Sequence, residues 1–501
     1  VISALHFKQD EDGYLASGHD RHLYLLDVES GTLTALTQDP AYEDDLPAWS
    51  PDGRRIAFVR TSERGQDPDG RVQLTLLDAQ PGASAQLLAR PYAPNTQRLA
   101  FSPDGGYLAY LAGEEPRYNQ YIQDHLLVVP TAGGKPRDLS ATLDRAVTSY
   151  AYAPDGRSIT ALIEDDGVSY PAHIDLASGA ITSLSHGPYV VAALTQAGDH
   201  SALLYAEEFR AMDVAALEED GPRPLDAQNA QLFAQIQFAT VQQIAFRSRD
   251  GAEVHGRIIR PPGFVPGRKY PAIVWIHGGP NSQDMHALDF DDNSFKWQLL
   301  AARGFIVLAV NYRGSSGRGS AYTKAIFADW GHKDLEDVLA GVDKLVALRE
   351  VDPARLGIGG WSYGAILTDF AIAKDGRFKA AFSGAGTANP LAQYGSDEYI
   401  MQYNNELGPP WRDTALWLRL SYPLLHADKI HTPTLFMGGT LDFDVPISGG
   451  EQMYEALRTL GVPTQLVIYP GQYHTLTRPS FRKDRMERVT DWFTRYLDPA
   501  P

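Results

Sequence analysis

The pentapeptide Gly360-Trp361-Ser362-Tyr363-Gly364 is the first place where residue type and spacing suggest chemistry. Alone, a G-x-S-x-G pattern is common by chance, so its surroundings decide its meaning. Residues 355–359 read as a strand, and a helical stretch opens near Ala365. A tight strand-to-helix turn lifts the serine hydroxyl above a sheet, and its glycines leave room for the flanking chain. The following helix N-terminus then points at the reacting carbonyl. A serine hydroxyl is a weak nucleophile that needs a base in hydrogen-bond reach and an acid to orient that base. Downstream, strand 434–437 ends in Gly438-Gly439-Thr440-Leu441-Asp442, and strand 465–469 ends in Pro470-Gly471-Gln472-Tyr473-His474. Both loops emerge at the sheet edge expected for Ser362. Ser362, Asp442 and His474 are therefore the expected nucleophile, acid and base of an acyl-transfer site. Asp444 is the rival acid. Asp442 is preferred because it lies nearer the strand end, which leaves Asp444 to cap the turn before Val445-Pro446. His426 and His431 precede the acid and read as surface or helix-end residues.

Acyl transfer also needs two N–H donors for the developing oxyanion. One is expected from Tyr363, the residue after the nucleophile. The other is expected from His277-Gly278-Gly279-Pro280, with Gly279 preferred because glycine lets the backbone approach a substrate closely. His277 itself reads as a buried structural hydrogen-bonder. Tyr394, Tyr399, Tyr403 and Trp411 follow the strand around Ala380 to Phe382. They suit an apolar specificity pocket and, equally, a helix core.

The elements that must carry these residues follow from periodicity. From about residue 240, a hairpin signal around Asp250-Gly251 gives way to apolar strands alternating with helical stretches. Residues 272–276, 305–310, 356–358, 380–382, 434–437 and 465–469 read as strands. Residues 334–348, 364–374, 450–460 and 482–496 read as helices. That alternation predicts a mostly parallel sheet with helices on both faces.

The first half has another pattern. Pro51-Asp52-Gly53, Pro103-Asp104-Gly105 and Pro154-Asp155-Gly156 each precede an alternating strand, at a spacing of about 50 residues that signals a repeat architecture. Each repeat adds a second hairpin signal, so four short strands per unit are expected, as in a β-propeller blade. Roughly five units precede residue 230, the first and last degenerate. The passage Leu203 to Glu219 reads as abutting strand-like and helix-like pieces, as though material were missing there. The expected organisation is a β-propeller over residues 1–238 and the catalytic half over 239–501.

Composition narrows the function classes. The formal net charge of −18 argues against nucleic-acid binding, which needs a basic surface. No cysteine is present, which removes a thiol nucleophile, a disulfide scaffold and a thiolate metal site. The histidines show no metal-ligand spacing, so neither metal nor cofactor is expected. No apolar run is long enough to span a bilayer, so a soluble protein without a membrane partner is expected. The cytoplasm is favoured. An exported or periplasmic location stays open, because a chain beginning at Val1 reads as trimmed.

Taken together, His277 to Pro280, Asn311-Tyr312-Arg313-Gly314-Ser315-Ser316-Gly317, Gly359 to Gly364, Gly439 to Pro446 and Gly471 to His474 resemble the prolyl oligopeptidase family of serine peptidases. The resemblance implies an α/β-hydrolase domain behind a propeller that shields the active site from folded proteins, and hence peptidase action on short peptides. An exopeptidase of acylaminoacyl-, dipeptidyl- or carboxypeptidase type is expected, although nothing in the residues separates exopeptidase from endopeptidase. Ser362, Asp442 and His474 match the family triad. The chain looks closest to the acylaminoacyl-peptidase-like branch, whose second oxyanion donor is a backbone group of the His-Gly-Gly-Pro loop. Other branches supply a tyrosine hydroxyl after Arg313-Gly314, where this chain has Arg318, taken here as a candidate substrate contact. Glu207-Glu208 is on paper the glutamate pair with which dipeptidyl peptidase IV grips an amino terminus, but its neighbours do not match, and a solvated face is preferred. The resemblance leaves room for a homo-oligomer. Two other readings compete: a carboxylesterase on the same site, and a propeller-based binding module with a vestigial hydrolase.

Overall fold

A computed structural model describes residues 2, 5–15, 21–62, 70–198, 200–288 and 293–497. Its N-terminal part is a succession of small antiparallel sheets. Tyr42–Trp49, Arg55–Ser62, Gln73–Asp78 and Gln86–Ala89 form the first four-stranded unit. Three more follow, starting at Ala100–Phe101, Val147–Tyr152 and Tyr189–Ala197, the last two joined by one parallel bridge between Ser169 and Val190. The repeated turn explains the period. The Ser50 and Ser102 hydroxyls donate to Asp52 and Asp104 at 2.6 Å, and Gly53, Gly105 and Gly156 take φ of +68°, +72° and +69°. Neighbouring turns touch, because a Cβ on Gly156 would lie 3.4 Å from the Pro103 ring. Apolar faces of successive sheets close on each other, Leu74 and Leu76 with Leu108 and Tyr110, then Leu126 and Val128 with Ile159 and Ala161. These are propeller blades.

Two expectations need correction here. The last unit is complete rather than degenerate, with strands Tyr189–Ala197, His200–Glu207, Arg210–Glu218 and Gly221–Pro224. Residues 203–219 are accordingly two strands and a turn, with no helical piece; alternate burial of Leu203, Tyr205 and Ala215 against the preceding blade overrides their helix propensity. The first unit is confined to the pair Tyr24–Leu26 and Leu33–Ala35 among the described residues.

The C-terminal part holds an eight-stranded sheet. In chain order its strands are β1 (Thr240–Arg247), β2 (Glu253–Arg260), β3 (Tyr270–Ile276), β4 (Ile306–Asn311), β5 (Val351–Trp361), β6 (Phe378–Gly384), β7 (Thr434–Gly439) and β8 (Thr464–Tyr469). They lie in the order β1-β2-β4-β3-β5-β6-β7-β8. The first two are an antiparallel hairpin that meets β4 antiparallel, and every pairing from β4 to β8 is parallel. The helices are α1 (Asn293–Ala302), α2 (Lys333–Ala347), α3 (Tyr363–Lys374), α4 (Ser448–Thr459) and α5 (Pro479–Leu497), with short helical turns between β6 and β7. Alternation along the strands divides the core. Ala272, Val274 and Ile276 face α2 and α3 through Val338, Val342 and Leu367, while Ile273 and Trp275 face α1 and α5 through Trp297, Leu300 and Phe493. Both faces being covered is why β3 is buried throughout. This is the α/β-hydrolase architecture. Among the described residues no helix is long and apolar enough to cross a membrane.

Blades and sheet meet through polar contacts. Gln283 binds the Gly167 N–H at 2.7 Å and Glu164 at 2.8 Å, and Tyr121 donates to Glu406 at 2.8 Å. Glu208 is here too, paired with Arg257 at 2.8 Å and His286 at 2.9 Å. It therefore sits in an interdomain ion pair, neither on a solvated face nor free to grip an amino terminus.

Candidate active site

Strand β5 runs into α3 through Ser362, whose backbone sits at φ 59°, ψ −127°. A non-glycine residue at positive φ is costly, and the neighbourhood explains how it is held. A Cβ on Gly364 would come within 2.2 Å of the Ile276 carbonyl oxygen, and one on Gly360 within 2.5 Å of the same atom. The elbow can therefore press against the end of β3 only because both positions are glycine. A Cβ on Gly278 would likewise stand 3.3 Å from the Ser362 Cβ, so the His277–Pro280 loop lies directly on the elbow. The Ser362 N–H donates to Gly384 at 2.9 Å, tying the elbow to β6.

The Asp442 and His474 loops leave the ends of β7 and β8 as the sequence implied. His474 Nδ1 is 2.9 Å from Asp442 Oδ2, and the Asp442 side chain is fully buried. Its other oxygen accepts the Val445 N–H at 2.7 Å, so Asp442 caps the turn that had been assigned to Asp444. Asp444 instead faces His474: its Oδ2 lies 3.5 Å from Nε2, and its Oδ1 accepts from the Tyr399 hydroxyl. Burial pushes the imidazole pKa down, but the Asp442 hydrogen bond and the charges of Asp444 and Asp10 outweigh it, raising the pKa to about 9. Among the described residues no hydrogen bond joins Ser362 to His474, although both line one open cavity. Apo sites often hold such contacts loosely until substrate binds.

The loops are clasped from a distant part of the chain. The hairpin Lys8–Gln9 and Gly13–Tyr14 brings Asp10 onto both, where one carboxylate accepts the Phe443 N–H at 2.9 Å and the His474 N–H at 3.0 Å. Lys8 donates to the Ser396 carbonyl at 2.7 Å, and Tyr14 meets Phe443 edge to face. No local pattern announces this contact.

Gly279 and Tyr363, the expected oxyanion donors, line a second, narrow cavity that also opens on Ser362. Tyr363 is the first residue of α3, so its N–H has no partner within the helix. Gly279 takes φ +118°. His277 is buried beneath, contacting the Gly278 carbonyl at 2.7 Å and the Ser315 hydroxyl at 2.9 Å and stacking on Tyr312. Burial lowers its pKa to about 4, so it stays neutral and structural.

The structure sorts the four aromatic candidates. Tyr399 and Tyr403 line the cavity beside Ser362. Tyr394 stacks on Tyr403 and packs against the core, whereas Trp411 is 77% exposed, edge-on to Tyr394. Arg318 is not brought to either cavity; it donates to the Glu253 carbonyl at 2.8 Å and covers Tyr322. The pocket is also more polar than expected. Asp397 and Asp444 line it, and Gln120 reaches it from the blades. Burial raises Asp397 to about 7, and Tyr403 donates to it at 2.5 Å. Asp397, Gln120 and the cationic residues of the other cavity had no signal in the sequence, because they arrive from elements that carry no motif.

Comparison with known proteins finds similar chains among peptidases. The chain is 28% identical over 99% of its length to an uncharacterized peptidase of Bacillus subtilis, covering 77% of that protein. It is 26% identical over 90% of its length to dipeptidyl-peptidase 5 of Porphyromonas gingivalis, spanning 66% of it. Its fold superposes on the acylaminoacyl peptidase of Pyrococcus horikoshii with a TM-score of 0.86 at 20% identity, over all of this chain and 78% of the other. A Mycobacterium tuberculosis puromycin-hydrolyzing peptidase gives 0.74 at 22%, over 96% of this chain and 84% of that one. Residues 291–500 match the model of the prolyl oligopeptidase family, and this stretch is a domain of that family.

Proposed function

We propose that the protein is a serine exopeptidase that cleaves short peptides through an acyl-enzyme, with residues 1–238 as propeller domain and 239–501 as catalytic domain. The observation that carries this reading is the strained Ser362 elbow sharing a cavity with an imidazole already paired to a buried carboxylate. Ser362 Oγ attacks the carbonyl carbon while His474 Nε2 takes its proton; the same nitrogen then protonates the leaving amine. To do so Nε2 moves off Asp444 and into reach of Oγ. Asp442 fixes the tautomer with the Nδ1 proton and stabilises the imidazolium. The N–H groups of Gly279 and Tyr363 stabilise the oxyanion, by about 3 kcal/mol per donor. Water then releases the acyl group by the reverse proton path. Gln120 at the acyl cavity supports a preference for short substrates, since the blades share its wall. The names acylaminoacyl peptidase and dipeptidyl-peptidase 5 among similar proteins favour an exopeptidase.

Ser362→Ala tests the assignment. The variant is expected to keep its fold by circular dichroism, to lose fluorophosphonate labelling and to lose cleavage of a mixed short-peptide library. Undiminished peptide cleavage by the alanine variant would refute it.

A further inference from the structure

Ser362 and Gly279 line both cavities, and the two cavities carry opposite charge. The one behind Tyr363 contains Asp397 and Asp444 and no cationic side chain. The one that contains His474 is walled by Lys296, Arg482 and Arg485 and contains no carboxylate. Their placement about the reacting bond follows from the mechanism. His474 must hand its proton to the leaving nitrogen, so the leaving half of the substrate occupies the side that His474 lines. That side is the basic one.

Arg485 is the informative cation. It projects from α5, its guanidinium stacked 4.9 Å from the Trp361 ring, next to the nucleophile in sequence. Its Nε is buried with no hydrogen-bond partner, and among the described residues no carboxylate pairs with it. Burial lowers its pKa to about 10, which still leaves it charged at neutral pH. A half-buried charge without a counter-ion is costly, so such a group is normally matched by an acid. Elsewhere in this chain it is: Arg313 meets Asp337 and Asp250, Arg257 meets Glu208, and Arg60 meets Asp44.

We infer that Arg485 is a specificity residue that receives a carboxylate carried by the leaving group. The ligand is a short peptide bearing that carboxylate close behind the scissile bond, either as its free C-terminus or as an Asp or Glu side chain. Arginine suits this because its planar fork matches a carboxylate in two parallel hydrogen bonds. The aromatic support of Trp361 holds the fork in place whether or not the substrate is bound. The inference rests on the peptidase reading above and adds the chemistry of its leaving side.

The test compares a library of three- and four-residue peptides in two forms, free acid and C-terminal carboxamide, by mass-spectrometric initial rates. A second carboxamide set places Asp or Glu against Asn or Gln after the cleaved bond. The wild-type protein is expected to prefer the charged member of at least one pair by ~10–100-fold in kcat/KM, the range of a charge-assisted hydrogen bond. Which pair responds tells the C-terminus from the side chain. Arg485→Gln should erase that preference, Arg485→Lys should restore part of it, and both should hydrolyse a p-nitrophenyl ester, whose leaving group has no carboxylate, within about threefold of wild type. Equal wild-type rates on charged and neutral members of both sets overturn the inference. So does an Arg485→Gln variant that slows ester and peptides alike, because that marks a structural role. Fluorophosphonate labelling of the same samples reports the hydrolase itself, so loss of the peptidase reading would register separately.

Discussion

Replacing Asp444 by asparagine separates the two carboxylates that flank His474. The imidazole must be neutral to accept the Ser362 proton, and its pKa stands at about 9. In the wild-type protein kcat/KM should therefore climb with pH through the neutral range and level off only near that value, losing about tenfold per pH unit below it. At 3.5 Å from Nε2, a full charge in an effective dielectric of about 20 contributes roughly 5 kcal/mol. The Asp444 side chain is 20% exposed and is hydrogen-bonded by Tyr399, so water and that hydroxyl remove more than half of it. What remains, about 1.4–2.8 kcal/mol, corresponds to one to two pKa units. The sign is fixed: removing a negative charge destabilises the imidazolium, so the acid limb moves to lower pH, to about 7–8. Asp444→Asn should thus be faster than wild type near neutrality by roughly tenfold or more, with a similar plateau at alkaline pH. Asp442→Asn should behave oppositely and lose about 10⁴-fold at every pH, because the Nδ1 partner that sets the tautomer is gone. The assay is kcat/KM for a p-nitrophenyl ester from about pH 5.5 to 10, a range that brackets both limbs. An acid limb that stays in place in Asp444→Asn, or an Asp444→Asn variant as dead as Asp442→Asn, would show that the electrostatic assignment of the two acids is mistaken.

Gly364→Ala should cost more than about 3 kcal/mol of stability, because its Cβ would meet the Ile276 and His277 carbonyl oxygens at 2.2 and 2.9 Å and neither is the end of a flexible side chain; an unchanged urea midpoint would contradict this. Asp10→Ala strips the shared acceptor from the Phe443 and His474 N–H groups and removes one charge from beside the imidazole. It should lower kcat by about tenfold and move the acid limb downward. A fall in kcat with no displacement of the pH profile would reduce Asp10 to a structural tie.

The catalytic half was legible because its information is local. Each expected triad residue follows an apolar strand within a few positions, and parallel strands deliver their C-terminal loops to one edge. The glycines of residues 360 and 364 mark a crowded elbow that the structure then shows against Ile276. What escaped depends on side-chain direction or on distant chain. Asp442 and Asp444 are two positions apart, and only the path of the turn decides that one meets Nδ1 and the other Nε2. Tyr399 and Tyr403 line the pocket while Tyr394 and Trp411 do not, because the rings sit on separate short helices and a turn whose directions a cluster of aromatics cannot specify. Asp10 reaches His474 across 464 residues of chain, with no motif at its end of the contact. Residues 203–219 misled for the converse reason: alanine and glutamate favour helix locally, and only burial between neighbouring strands makes them sheet.

These contacts divide the site into parts that are fixed and one that is not. Ser362 is fixed, because Gly278, Gly360 and Gly364 leave the elbow no clearance against its neighbours. Asp442 is held twice, by the Val445 N–H and by the His474 imidazole. The backbone of His474 is held by Asp10. The free variable is the far edge of the imidazole, which faces Asp444 at 3.5 Å. Asp444 lines the cavity behind Tyr363, so a substrate entering that cavity competes for the same carboxylate and its surroundings. Completing the proton path on the proposed mechanism therefore requires the imidazole edge to leave Asp444 for Ser362, which is why the Asp444→Asn profile is the informative one.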